Sequence, residues 1–191
     1  MKLNAKELRS CQPRLNRGQP LDVSHQQRER NGIHLILDNV LDTYNIGSIF
    51  RLADAVGAKK VYLCGGTATP PNPRIKKASI NTTEWVEWEY FPDVVGAIKN
   101  LKFKIKNLQV VAVEQSEKAV PYDKFEYKLP LALVVGHETY GVSKEVLEMV
   151  DAVVEIPMFG VNVSLNVMVS LAIVLYKAIE RMPKVLSEAE G

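Results

Sequence analysis

Four short apolar runs set the frame of this chain: Ile33-His34-Leu35-Ile36-Leu37, Val61-Tyr62-Leu63-Cys64, Val110-Val111-Ala112-Val113 and Leu131-Ala132-Leu133-Val134-Val135. Each is too short for a buried helix and lacks the polar alternation of a half-solvated strand, so they predict strands covered on both faces. Between them, residues 46–56, 92–101 and 144–150 carry helix-compatible patterns. Strands alternating with helices predict an α/β fold with a mostly parallel sheet flanked by helices. A final amphipathic helix is expected over 164–181, ending before Pro183. Residues 65–81 hold Pro70, Pro71, Pro73, two glycines and a Lys76-Lys77 pair, which predicts a long loop of the kind that usually carries function.

Composition narrows the class. With 191 residues, 47% hydrophobic and 24% charged, the chain can build one substantial core. The longest apolar stretch, 165–176, is interrupted by Asn166 and Ser170 and is too short to cross a bilayer. The N-terminus lacks the apolar centre of a signal peptide, so a cytosolic protein is expected. Cys11 and Cys64 match no metal spacing and read as free thiols; His25, His34 and His137 are scattered, and no metal is expected. The net charge is only +2, but residues 1–32 carry seven Lys/Arg against three acids. The expected organisation is a basic arm over 1–32, a single domain over 33–182 and a tail over 183–191. Such an arm suits an RNA or DNA phosphate backbone and equally fits a solvated tail.

Three polar turns, each at the end of an apolar run, carry the candidate chemistry, an arrangement that describes a ligand pocket built from loops at one sheet edge. The first runs from Asp42 to Arg51. Asn45 can cap a helix there, Gly47 permits close backbone approach, and Arg51 is placed to grip phosphate or polarise a hydroxyl. The same spacing fits a surface arginine on an ordinary helix. The second, Gly136-His137-Glu138-Thr139-Tyr140-Gly141, lets a flat ligand approach the backbone while Glu138 accepts hydrogen bonds, or is a tight turn with a solvated acid. The third, Ile156-Pro157-Met158 followed by Ser164-Leu165-Asn166-Val167, opens the last helix, where Ser164 also reads as a plain N-cap. Neither G-x-G-x-x-G after a strand nor a P-loop lysine motif occurs, which disfavours NAD and nucleoside triphosphates.

In this order and at these separations, the three blocks resemble the SpoU (TrmH-like) family of RNA 2′-O-methyltransferases in the SPOUT superfamily, over about Ile33 to Ala178. The resemblance implies a C-terminal deep trefoil knot, an exception to the unknotted rule, and S-adenosylmethionine as cofactor. It implies that Val135, Gly136, Gly141, Ile156, Met158 and Leu165 surround the cofactor. It further implies a catalytic set of Arg51, Asn45, Glu138, Ser164 and Asn166, with Arg51 activating the ribose 2′-hydroxyl, Asn45 and Glu138 shaping the site, and Ser164 and Asn166 holding the catalytic loop. Arg51, Arg74, Lys76, Lys77, Arg14 and Arg17 are the candidate RNA contacts, and a homodimer acting on tRNA ahead of rRNA is implied. Met168 stands where many relatives carry a small hydroxyl residue, and the larger RNA-binding extension of several relatives is missing. The rival reading is a non-catalytic RNA-binding or ribosome-assembly factor that keeps the fold.

Overall fold

The computed structural model describes residues 30–180. Seven strands form one sheet: β1 (Ile33–Asp38), β2 (Lys60–Cys64), β3 (Trp88–Phe91), β4 (Gln109–Val113), β5 (Val120–Pro121), β6 (Leu131–Val135) and β7 (Ala152–Glu155). Every pairing is parallel, in the order β3-β2-β1-β6-β4-β7-β5. The predicted α/β class therefore holds. The strands that read most clearly in the sequence are the central ones: β1 and β6 are buried at every position and pair directly, Leu35 opposite Leu133.

Alternate residues of the sheet feed two separate cores. On one face Leu35, Leu37, Val61, Leu63 and Leu133 pack with helices α1 (Thr43–Ala55), α2 (Pro73–Ser79) and α5 (Val167–Ile179). On the other, Ile36, Tyr62, Ala132 and Val134 pack with α3 (Val94–Lys104) and the short α4 (Lys144–Leu147). Because strands β1 to β3 step outward on one side and the chain then crosses to build the other, the order reverses between β1 and β6. Loops at the carboxyl ends of strands open a crevice at such a reversal.

Several expected boundaries shift. Inside the expected loop of 65–81 lies α2: Asn72 accepts the Arg74 and Ile75 backbone N–H groups at 2.9 and 3.3 Å, and Pro73 occupies the first helical turn, where a missing N–H costs nothing. Helix α1 starts at Thr43 and is capped by Asp42, which accepts the Tyr44 N–H at 2.8 Å; Asn45 is not its cap. Arg51 consequently sits in the third turn of α1. Helix α5 starts at Val167 with Asn166, not Ser164, as its cap. Strands β3, β5 and β7 lie outside the four runs, and their positions are mostly half-buried or exposed. Cys11, His25, Arg14, Arg17, most of the basic arm and the tail lie outside the described residues.

Buried His34 on β1 gives a stability prediction. It is only 6% exposed, and its Nδ1 has no hydrogen-bond partner. Burial, reinforced by Lys59 and Lys60, lowers its pKa from 6.5 to about 4. The unfolded chain therefore binds a proton near pH 6.5 that the native chain refuses until about pH 4, so this site stabilises the fold fully above pH 6.5 and progressively less down to pH 4, by on the order of 3 kcal/mol in all. Urea unfolding at pH 7 and pH 4.5 should show a smaller pH difference in His34→Phe than in the parent. An equal difference would assign the slope to other groups.

Candidate functional site

A cleft of about 490 Å³ opens at the carboxyl ends of β4, β6 and β7. The second and third sequence blocks line it, and the first is tied to them through Asn45, which lies outside the lining. Val135, Gly136, Gly141, Ile156, Met158 and Leu165, the six expected cofactor contacts, line it, as do Glu138, Ser164 and Asn166. Arg51 does not line it; it is exposed on α1 and makes no hydrogen bond or ion pair among the described residues.

One hydrogen-bonded chain ties the blocks together. Glu138, just after β6, accepts the backbone N–H groups of Leu41 and Asp42 at 3.1 and 3.0 Å, fixing the approach to α1. The Asn45 side-chain amide donates to Glu138 Oε1 at 3.2 Å, and its own oxygen accepts from the Asn166 amide at 2.9 Å. Asn166 Oδ1 in turn accepts the Met168 and Val169 N–H groups at the start of α5. Burial works to raise the Glu138 pKa, but the hydrogen bonds from Asp42, Leu41, its own backbone and Asn45 outweigh it and hold the carboxyl below its usual value. Glu138 is thereby an anionic anchor for three segments rather than a proton donor. Ser164 is exposed and makes no hydrogen bond among the described residues.

The glycines of the second block are required by packing. His137 and Gly141 exchange backbone hydrogen bonds at 3.0 and 2.8 Å, closing the turn. A Cβ on Gly136 would collide with Gly141 and with the Val142 amide, so the cleft wall there is bare backbone. Gly141 has φ +70°, and a Cβ on it would strike the Glu114 carboxylate.

Glu114 and its neighbour escaped the sequence reading. Glu114 Oε2 accepts the Val142 N–H and Oε1 accepts the Gln115 N–H, both at 2.8 Å, while the Gln115 amide donates to the Val163 carbonyl at 2.5 Å. Together they buckle the second block to the third. Asp38, 1% exposed at the end of β1, was also missed; it accepts the Ser143 backbone N–H at 3.0 Å and hydroxyl at 2.8 Å. The available signal was a polar residue directly after an apolar strand.

Gly47, expected to permit close backbone approach, admits a helix. A Cβ there would stand 2.6 Å from the Ala78 Cβ and 2.7 Å from the Ile75 carbonyl, so the glycine lets α2 lie against α1. Arg51, four residues on, falls on the same side of α1. Arg74, Lys76 and Lys77 are exposed on α2, and Lys76 makes an exposed ion pair with Glu84 at 3.5 Å.

A parallel sheet with a cleft of bare backbone and mixed polar and apolar side chains at the carboxyl ends of β4, β6 and β7 defines a ligand-binding α/β domain. The comparisons make this specific. The SpoU rRNA methylase family matches residues 32–176. The tRNA (guanosine(18)-2′-O)-methyltransferase of Aquifex aeolicus is 35% identical over 156 residues, 80% of this chain and 71% of the relative. The crystal structure of the A. aeolicus TrmH/SpoU tRNA modifying enzyme superposes with a TM-score of 0.72 at 31% identity, over 82% of this chain and 78% of that one. An AdoMet-bound rRNA methyltransferase of Sinorhizobium meliloti superposes with a TM-score of 0.73 at 27% identity, over 83% and 60% respectively. The chain belongs to the SpoU family of RNA methyltransferases.

Proposed function

We propose that this protein transfers a methyl group from S-adenosylmethionine to a ribose 2′-hydroxyl of RNA, with tRNA ahead of rRNA as substrate. The observation that carries this reading is the Glu138–Asn45–Asn166 chain, which ties the first block to the two that line the cleft. The similar A. aeolicus protein acts on guanosine 18 of tRNA, which supports the order of substrates. The cleft suits the cofactor: bare backbone at Gly136 and Gly141 for a flat adenine, apolar walls from Val135, Ile156 and Leu165, and Glu114 as an acceptor.

When bound, the cofactor supplies an activated methyl group on a positively charged sulfur. The protein's task is then to align the 2′-oxygen and to stabilise charge as it develops. Arg51 takes the second part. A guanidinium holds its proton too firmly to be an easy base, so it stabilises the forming alkoxide while the hydroxyl proton passes to water or to an RNA phosphate beside it. Asn45, Glu138 and Asn166 position the loops, and Ser164 faces the cleft from the third block.

A second copy of the chain completes the site. Phe159, Val161 and Val163 beside the cleft are 96%, 100% and 74% exposed, and Tyr176 on α5 is half-exposed, an apolar surface that suits a homodimer interface. Arg51 with the exposed Arg74, Lys76 and Lys77 of α2 forms a basic strip for phosphates, and Arg14 and Arg17 are further candidate RNA contacts by charge alone. The trefoil knot belongs to the same reading; β6 inserted between β1 and β4 and the return of α5 against α1 support it. No helix among the described residues is long and apolar enough to cross a membrane.

The test is incubation with methyl-labelled S-adenosylmethionine and unmodified tRNA or rRNA in separate reactions, followed by nuclease digestion and nucleoside mass spectrometry. A labelled 2′-O-methylnucleoside from the tRNA pool is expected. Cofactor binding without label in either pool would point to a narrower substrate or a missing partner, and no cofactor binding would favour a non-catalytic RNA-binding factor.

A further inference from the structure

Next to the cofactor cleft lies a second hollow of about 280 Å³, and the two share His137 and Gly141 as a common edge. Leu41 and Tyr140 contribute its apolar surface, while Asp38, Asn39 and Ser143 supply its polar groups. We propose that this hollow is a nucleobase slot, which takes the base of the nucleotide whose ribose is methylated.

Its polar side is built in advance. Asp38 is almost fully buried and accepts from the Asn39 amide at 2.8 Å as well as from Ser143. Asn39 adopts the left-handed conformation, φ 55°, and its oxygen accepts the Gly66 N–H at 2.8 Å. A Cβ on Gly65, itself at φ +62°, would collide with the Asn39 carboxamide. Asn39 is therefore held by its neighbours, with one amide hydrogen spare for a ligand.

The aromatic side is equally specific. Tyr140 is 84% exposed, and its ring lies 4.8 Å from that of His137. His137 Nδ1 accepts the Thr139 N–H at 2.9 Å, which places the proton of the neutral ring on Nε2 and makes it a donor. An exposed ring facing a hollow with spare donors is the usual platform for an unstacked RNA base. Position selects the base over other occupants. The base is bonded to the ribose carbon beside the reacting one, so a 2′-hydroxyl aligned at the cofactor cleft brings its own base to the shared His137–Gly141 edge. A second copy of the chain is better matched by Phe159, Val161 and Val163, which carry no polar side chains.

The proposal rests on the methyltransferase reading, and its test separates the two. With the modified nucleotide located, kinetics are compared for the parent, Tyr140→Ala and Tyr140→Phe on an RNA carrying that nucleotide and on the same RNA made abasic there. Tyr140→Ala should lower kcat/KM for RNA by about tenfold to a hundredfold, with Tyr140→Phe close to the parent and S-adenosylhomocysteine affinity by calorimetry unchanged. The abasic RNA should be poorer for the parent, and Tyr140→Ala should cost little more on it. Unaltered kinetics in Tyr140→Ala, or losses that multiply on abasic RNA, would show that the ring does not meet this base. Conversion of a dimer to a monomer by Tyr140→Ala would assign the hollow to a second copy. A parent protein that labels no RNA would remove both readings, whereas a parent that labels RNA beside an unaffected Tyr140→Ala removes only this one.

Discussion

Gly136→Ala weakens cofactor binding by about a hundredfold or more and lowers the melting temperature by several degrees. The added methyl has no room, because it falls on the Gly141 carbonyl group and the Val142 amide, which are backbone and cannot rotate away. Relief requires the turn to open. Opening it strains the paired His137–Gly141 hydrogen bonds, pulls Val142 from Glu114, and shifts Glu138, on which the Asn45–Asn166 chain hangs. One methyl therefore loosens the cleft wall and the link between all three blocks. Gly160→Ala is the control, since a Cβ there meets nothing within 4 Å. Calorimetric titration with S-adenosylhomocysteine, with a thermal melt of each variant, checks the expectation. Parent-like affinity in Gly136→Ala would mean that the cofactor does not lean on this turn.

The parts of the fold legible in the sequence were those where one physical rule acts alone. Strands β1 and β6 lie in the middle of the sheet with helices on both faces, so they read as unbroken apolar runs. Edge strand β3, Trp88-Glu89-Tyr90-Phe91, is half-covered and mixes an acid among its aromatics, so no such run marks it. Prolines hid α2, because Pro73 looks like a breaker until Asn72 is seen to cap it. Asp42 and Asn45 are both good capping residues, and local sequence does not choose between them; Asn45 is taken by Glu138 and Asn166, 93 and 121 residues away. The cleft-lining residues were found because ordered motifs mark their loops. The bonds that join those loops, together with the Glu114–Gln115 buckle, connect distant segments and follow from the fold alone.

Arg51→Ala lowers methyl transfer by roughly a thousandfold, the scale of losing a group that stabilises a developing oxyanion, while S-adenosylhomocysteine affinity stays near the parent value. The split follows from position. Arg51 lines no part of its own chain's cleft and leaves Asn45, six residues and about 9 Å back along the helix, in its place in the network. A lysine at the same position keeps the charge but not the forked donor, so Arg51→Lys should recover only part of the rate. The absence of Arg51 from the lining of its own cleft also predicts that it serves the cleft of a second subunit. Chains carrying Arg51→Ala and chains carrying Gly136→Ala, each inactive alone, should then regain activity when co-expressed, because the hybrid dimer holds one sound cleft facing one sound arginine. Random mixing gives about a quarter of the parent rate. Recovery near that level places Arg51 across the interface; none, with hybrid dimers demonstrated by mass spectrometry, places it in the same chain as the cleft it serves, reached through the bound RNA.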